Sequence, residues 1–162
     1  MTAATATPAV PATATRPRLA VLIDAENANA AHAPALMQRI RDSFGNPTIR
    51  RAYGDWTTPQ LTPWKKLLLP LGLRPYQQFP LGRGKNTTDF ALVMDAMELI
   101  YSGKVQGICI VASDCDYIGL AGRIQEAGLS VYGFGQRGCT MAGFVAACDA
   151  FVFLDDEVGP AA

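Results

Sequence analysis

Two apolar runs that end on acids constrain this chain more than any other feature. From Gly107 the sequence reads G-I-C-I-V-A-S-D-C-D-Y. An uninterrupted, β-branched run of that length is what a strand buried on both faces of a parallel sheet requires. It stops on two carboxylates, Asp114 and Asp116. The same arrangement occurs earlier, where Leu19, Ala20, Val21, Leu22 and Ile23 lead straight into Asp24, followed by Glu26 and Asn27. Open α/β sheets bind ligands beyond the carboxyl ends of their strands, where the strand order reverses. Acids at two such ends therefore mark a candidate site.

The rest of the chain alternates between the two periodicities. Helices are expected over Pro34 to Phe44, Thr58 to Leu69, Thr88 to Ser102, Ile118 to Ala127 and, briefly, Thr140 to Cys148. Further strands are expected over Thr48 to Tyr53, Leu73 to Phe79, Leu129 to Phe134 and Phe151 to Leu154, the second of these at a sheet edge because Pro75 cannot donate to a ladder. Strands alternating with helices imply an α/β protein, a three-layer α/β/α sandwich with a mostly parallel sheet. Residues 1–17 are Ala, Thr and Pro with almost no large apolar side chain, which reads as a flexible tail; residues 18–156 form the expected domain and 157–162 a second short tail.

Composition narrows the chemistry. Fourteen basic and fourteen acidic residues give a net charge of zero, but residues 1–88 hold eleven Lys or Arg against four acids, and residues 89–162 hold three against ten. Such polarity suits either a basic face for an anionic substrate beside an acidic metal site, or pairing within the molecule. Cys109, Cys115, Cys139 and Cys148 lack the paired short spacings of a zinc site, and His32, expected in a surface loop, is the single histidine. A cysteine within a buried strand favours a reducing interior, and no apolar run reaches the roughly 18 residues that a membrane helix requires, so a cytoplasmic location is expected.

The helix expected after Gly82-Arg83-Gly84-Lys85 supplies another carboxylate. At about 100° per residue, Leu92, Val93, Ala96 and Ile100 all fall within about 60° of Asp89, which places that acid on the buried stripe. Asp95 and Glu98 lie about 120° and 180° away, on the polar side. An acid in a first turn also interacts favourably with the helix dipole, which accounts for its end of the helix but not for its alignment with the core. Asp24, Asp89, Asp114 and Asp116 can thus converge at one sheet edge, where a hard divalent cation, Mg²⁺ or Mn²⁺, resolves their mutual repulsion and activates water. Asn27 and Ser113 are placed to orient a water or a phosphate oxygen. Arg83 and Lys85, just before Asp89, are placed to hold the substrate backbone.

Taken together, L-A-V-L-I-D-A-E-N, Y-G-D-W at residues 53–56, G-K-N-T-T-D-F-A-L-V-M-D-A-M from Gly84, I-V-A-S-D-C-D-Y and V-Y-G-F-G resemble the NYN domain, LabA-like branch, of the PIN-like nuclease superfamily. The resemblance runs over about residues 18–155, with the motifs in family order. It implies a PIN-like, Rossmann-like sheet in the order 3-2-1-4-5, an acidic Mg²⁺ or Mn²⁺ site and endoribonuclease activity on RNA. The family's metal-binding acids fall on Asp24, Asp89, Asp114 and Asp116, its asparagine falls on Asn27, and Asp95 matches a further aspartate of the motif, a fifth candidate ligand. Two departures stand out. Cys115 sits between the paired acids after a loosely matched Ala112-Ser113, and the LOTUS-type RNA-binding domain that often follows in this branch is not expected here. Substrate choice then falls to this domain, to a second copy in a homodimer, or to a protein partner.

Other signals carry less. Gly133-Phe-Gly-Gln-Arg-Gly138 satisfies G-x-G-x-x-G, but the 24 residues after Gly138 cannot complete a dinucleotide-binding half, so the glycines are expected to form a tight turn with Arg137 as a phosphate contact. Trp56, Trp64 and Tyr53 suit base stacking or, more often, a core. Cys115 lacks a histidine base in any nearby motif and makes a poor nucleophile. The sequence thus favours a metal-dependent endoribonuclease with catalytic Asp24, Asp89, Asp114, Asp116 and Asn27 and no membrane contact. A catalytically idle RNA-binding or adaptor module of the same fold is the alternative, and a phosphatase-like hydrolase of small esters a third reading.

Overall fold

A computed structural model describes residues 15–82, 87–113 and 117–156. The rest of the two expected tails, together with Arg83, Lys85, Asp114, Cys115 and Asp116, lies outside the described residues. The chain runs β1 (Arg18–Asp24), α1 (Ala33–Ser43), β2 (Asn46–Gly54), α2 (Thr62–Leu71), β3 (Arg74–Gln77), α3 (Thr87–Ser102), β4 (Gly107–Val111), α4 (Ile118–Glu126), β5 (Ser130–Gly135), α5 (Ala142–Ala147) and β6 (Ala150–Phe153). The strands form one six-stranded sheet in the order β3-β2-β1-β4-β5-β6, and all five pairings are parallel. From β1 the chain winds outward to β3, then returns to β4 and winds the other way. The reversal lies between β1 and β4, the point at which open α/β sheets place their ligands, beyond the strands' carboxyl ends.

Burial follows the period-2 alternation of the central strands. Leu19, Val21 and Ile23 of β1, with Cys109 and Val111 of β4, join Leu36, Met37 and Ile40 of α1 and Trp64 of α2 in one core layer. Ala20 and Leu22, with Ile108 and Ile110, face the opposite layer, where Leu92, Ala96 and Ile100 of α3 meet Leu120, Ala121 and Ile124 of α4. Asp24 continues the Ala20–Leu22 series, so its side chain faces the α3–α4 layer rather than α1. The helical angle that aligned Asp89 with Leu92, Ala96 and Ile100 puts it on the sheet side of α3.

Several boundaries differ from the sequence reading. The helix expected from Thr58 opens as a 3-10 turn, Pro59–Leu61, and only then becomes α2, with Pro63 in its first turn and Gly72 (φ 62°) as its left-handed cap. His32 is not a loop residue: Asn29 caps a 3-10 turn ending at His32, which is half-buried with Nε2 3.5 Å from the Gln136 amide. β3 is an edge strand, in keeping with Pro75, and Pro75 pairs opposite Ala52. The glycines of the G-x-G-x-x-G stretch have a packing cause. A Cβ on Gly133 would collide with the Phe151 ring, and one on Gly135 would stand 2.8 Å from the Ala112 carbonyl oxygen. They let β4, β5 and β6 approach closely, and Gly138 supplies a positive φ of 79°.

Candidate metal and substrate site

At the end of β1 the Asp24 carboxylate has no solvent exposure. The Asn27 side-chain amide donates to its Oδ2 at 3.0 Å and the Asn27 backbone N–H to its Oδ1 at 3.3 Å, so the loop after the strand folds back over its own acid. The Asn27 carbonyl in turn accepts the Ser113 N–H at 3.1 Å, which ties this loop to the end of β4. Opposite them stands Tyr117, 2% exposed at the start of α4. Its hydroxyl donates to Asp89 Oδ1 at 3.1 Å and lies 3.5 Å from Asp24 Oδ2. One buried phenol therefore joins acids from β1 and α3, which are 65 residues apart in sequence.

A second polar network fixes the neighbouring loops. Glu26 accepts the Asp55 backbone N–H on one oxygen and the Thr88 hydroxyl on the other, both at 3.0 Å, and so links the loops after β1 and β2 to the first turn of α3. Asp55 accepts the Thr57 hydroxyl at 2.6 Å, the Gln77 amide at 2.9 Å and the Thr57 N–H at 3.1 Å. These donors, the Thr57 hydroxyl foremost, hold its carboxyl below the ordinary aspartate value.

The other expected site residues are distributed as follows. Ser113 is buried just beyond β4, against the loop after β1. Asp95, six residues beyond Asp89 on α3, accepts the buried Tyr53 hydroxyl at 2.6 Å and the Arg51 guanidinium at 3.2 Å. Burial, then the Asp95 carboxylate, pushes the Tyr53 phenol well above its ordinary value. Asp95 thus anchors α3 to β2, away from the Asp24–Tyr117–Asp89 contact. Arg137 stacks over Phe153 with 4.1 Å to the ring centroid and makes a bidentate ion pair with Asp156, while its N–H donates to Asp155. Tyr53 and Trp64 are core residues, and Trp56 is half-buried with its indole N–H on the Tyr76 carbonyl. Among the described residues no three His, Cys, Asp or Glu side chains gather closely enough to hold a metal ion. Asp24 and Asp89 make a pair, and the two other acids of the expected set lie outside those residues.

Sequence reasoning passed over Tyr117, although it closes the I-V-A-S-D-C-D-Y run; a large buried phenol there needs a partner for its hydroxyl. The Glu26–Thr88 link carries no local sign, since its ends are joined only by the fold.

A doubly wound parallel sheet with a buried acid and its carboxylate partner at the reversal point defines a Rossmann-like α/β class that includes the PIN-like nucleases. Residues 18–155 match the sequence profile of the NYN domain, and the chain belongs to that family. NYN domains are, as a class, nuclease domains of the PIN-like kind. Among solved structures, a protein of unknown function, VPA0982 from Vibrio parahaemolyticus RIMD 2210633, is similar in fold, with a TM-score of 0.71 at 20% identity over 90% of this chain and 98% of that one. The WlbA dehydrogenase from Bordetella pertussis, solved with NADH and UDP-GlcNAcA, aligns at a TM-score of 0.43 and 14% identity over 88% of this chain and 36% of that one. No curated protein matches the chain. Among the described residues no helix is long and apolar enough to cross a membrane.

Proposed function

We propose that this chain is a metal-dependent endoribonuclease of the LabA-like branch that hydrolyses RNA phosphodiester bonds at an aspartate cluster. The observation that carries the reading is the shared Tyr117 hydroxyl, which brings a fully buried carboxylate from β1 to a second from α3 at the sheet's reversal point. Two carboxylates meeting with an asparagine and a phenol make an all-oxygen, negatively charged donor set, which fits Mg²⁺ or Mn²⁺ and suits softer metals poorly. In this proposal Asp24 and Asp89 hold the cation together with Asp114 and Asp116. The chemistry a bound cation supplies there is activation of water and neutralisation of charge on the phosphodiester.

The chain's own groups do the rest. Asn27 keeps the Asp24 carboxylate in one orientation through two donors, and Tyr117 does the same for Asp89. The Ser113 hydroxyl orients a phosphate oxygen or a water, and Arg83 and Lys85 bind the RNA backbone on the approach to Asp89. The protein acts in the cytoplasm.

The test is incubation of the purified protein with structured and single-stranded RNAs in Mn²⁺, with a chelator arm and an Asp24→Asn arm. Cleavage that both arms abolish is expected. RNA that is bound but left intact refutes the nuclease and makes the chain an RNA-binding adaptor.

A further inference from the structure

The outer face of α3 is apolar in a pattern that nothing among the described residues covers. Phe90, Met94 and Tyr101 are 68%, 64% and 73% exposed, and Met97 between them is half-buried. At about 100° per residue the four fall within about 60° of one another and form a straight stripe. The opposite face, with Leu92, Ala96, Leu99 and Ile100, packs on the sheet. Beyond its core face, and apart from the polar strip that carries Asp95 and Glu98, α3 thus has a second apolar face, and an apolar helix face is one that is covered.

The order of residues in the stripe points to the occupant. Phe90, Met94, Met97 and Tyr101 are spaced four, three and four residues apart, the seam of paired helices. The series aromatic, methionine, methionine, aromatic also reads the same in both directions about a midpoint between Asp95 and Ala96. An isologous two-fold contact requires a surface that complements itself in that way. An antiparallel second copy sets Phe90 against its Tyr101 and Met94 against its Met97. At about 150–250 Å² for each large side chain, the three exposed residues present about 450 Å². A stable interface buries about 800 Å² per partner, a little over half of it apolar, and the stripe supplies that apolar share.

We infer that α3 is a self-association surface through which two copies pair antiparallel along Phe90, Met94, Met97 and Tyr101. The two Asp89 residues then sit at opposite ends of the contact, so each copy keeps its own pair of acids.

Sedimentation equilibrium of the full chain tests this, with Met94→Glu beside Leu69→Glu, a still more exposed apolar site on α2. The wild type is expected at twice 17.3 kDa. Met94→Glu would bury a carboxylate from each copy and is expected to raise the dissociation constant by roughly 100-fold or more, with circular dichroism unchanged. Leu69→Glu is expected to remain a dimer. A monomeric wild type, a dimer that survives Met94→Glu, or equal dissociation by Leu69→Glu overturns the proposal, as does a monomer that uses this face for lipid vesicles or RNA.

Discussion

Replacing Tyr117 by phenylalanine removes one oxygen and leaves the ring in place against Phe144, whose centroid is 6.0 Å away. The cavity term is therefore small, and the loss is electrostatic. The hydroxyl donates to the Asp89 carboxylate at 3.1 Å and stands 3.5 Å from that of Asp24, in a setting where Tyr117 is 2% exposed and Asp24 not at all. A hydrogen bond to a charged group contributes about 1.5–3 kcal/mol. The expected cost of Tyr117→Phe in metal-free buffer is of that size, which for a domain of this length lowers Tm by roughly 4–10 °C. Urea unfolding followed by circular dichroism reads it directly. A double-mutant cycle with Asp89→Asn isolates the contact, with an expected coupling of about 1–2 kcal/mol. A cost below about 0.5 kcal/mol, or additive effects of the two substitutions, would refute the view that this phenol joins the two acids.

Other consequences can be checked separately. Asp95→Ala strands the buried Tyr53 hydroxyl and the Arg51 guanidinium, so urea unfolding is expected to show a loss of about 1–3 kcal/mol. Glu26→Ala leaves the Asp55 N–H and the Thr88 hydroxyl without their acceptor and is expected to cost about 1–3 kcal/mol, with faster hydrogen exchange at the first turn of α3. Burial, with Asp149 beside it, pushes the Cys148 thiol up to about 12, and burial raises the Cys109 thiol strongly, whereas Cys139 is exposed. Native protein at pH 8 is therefore expected to label at Cys139 and to spare Cys109 and Cys148, as peptide mapping after iodoacetamide would show. Above the ordinary thiol value of 9.0 the unfolded chain gives up protons that the folded chain retains at these two cysteines, so their contribution to stability falls as pH climbs from 9 toward 12, which urea midpoints measured across that range can check.

Much of the fold was legible because its signals are local. The apolar runs at Leu19 and Gly107 read as strands buried on both faces, and Pro75 assigned its strand to an edge. Asp24 and Asp89 could be brought together on paper because the apolar run fixes the strand end at which Asp24 sits and steps of about 100° along α3 fix the face that Asp89 occupies. What escaped was non-local. Tyr117 acquires its role only when α4 is laid beside α3, and the Glu26–Thr88 bond spans 62 residues. Helical angle set Asp95 apart from Asp89 on the polar side of α3, but nothing local showed that the Arg51–Tyr53 pair on β2 would claim it. The G-x-G-x-x-G stretch imitates a phosphate loop because close strand packing and phosphate approach both call for a missing Cβ.

Mn²⁺ binding followed by the loss of the free-ion electron paramagnetic resonance signal addresses the central claim without relying on turnover. The wild-type chain is expected to take up Mn²⁺, with Asp24→Asn and Asp114→Asn each weakening uptake by at least roughly tenfold, as for the loss of one carboxylate ligand from a shared site. Wild-type protein that leaves the free-ion signal untouched, or variants that bind as tightly as the wild type, would contradict a cation site built from these acids.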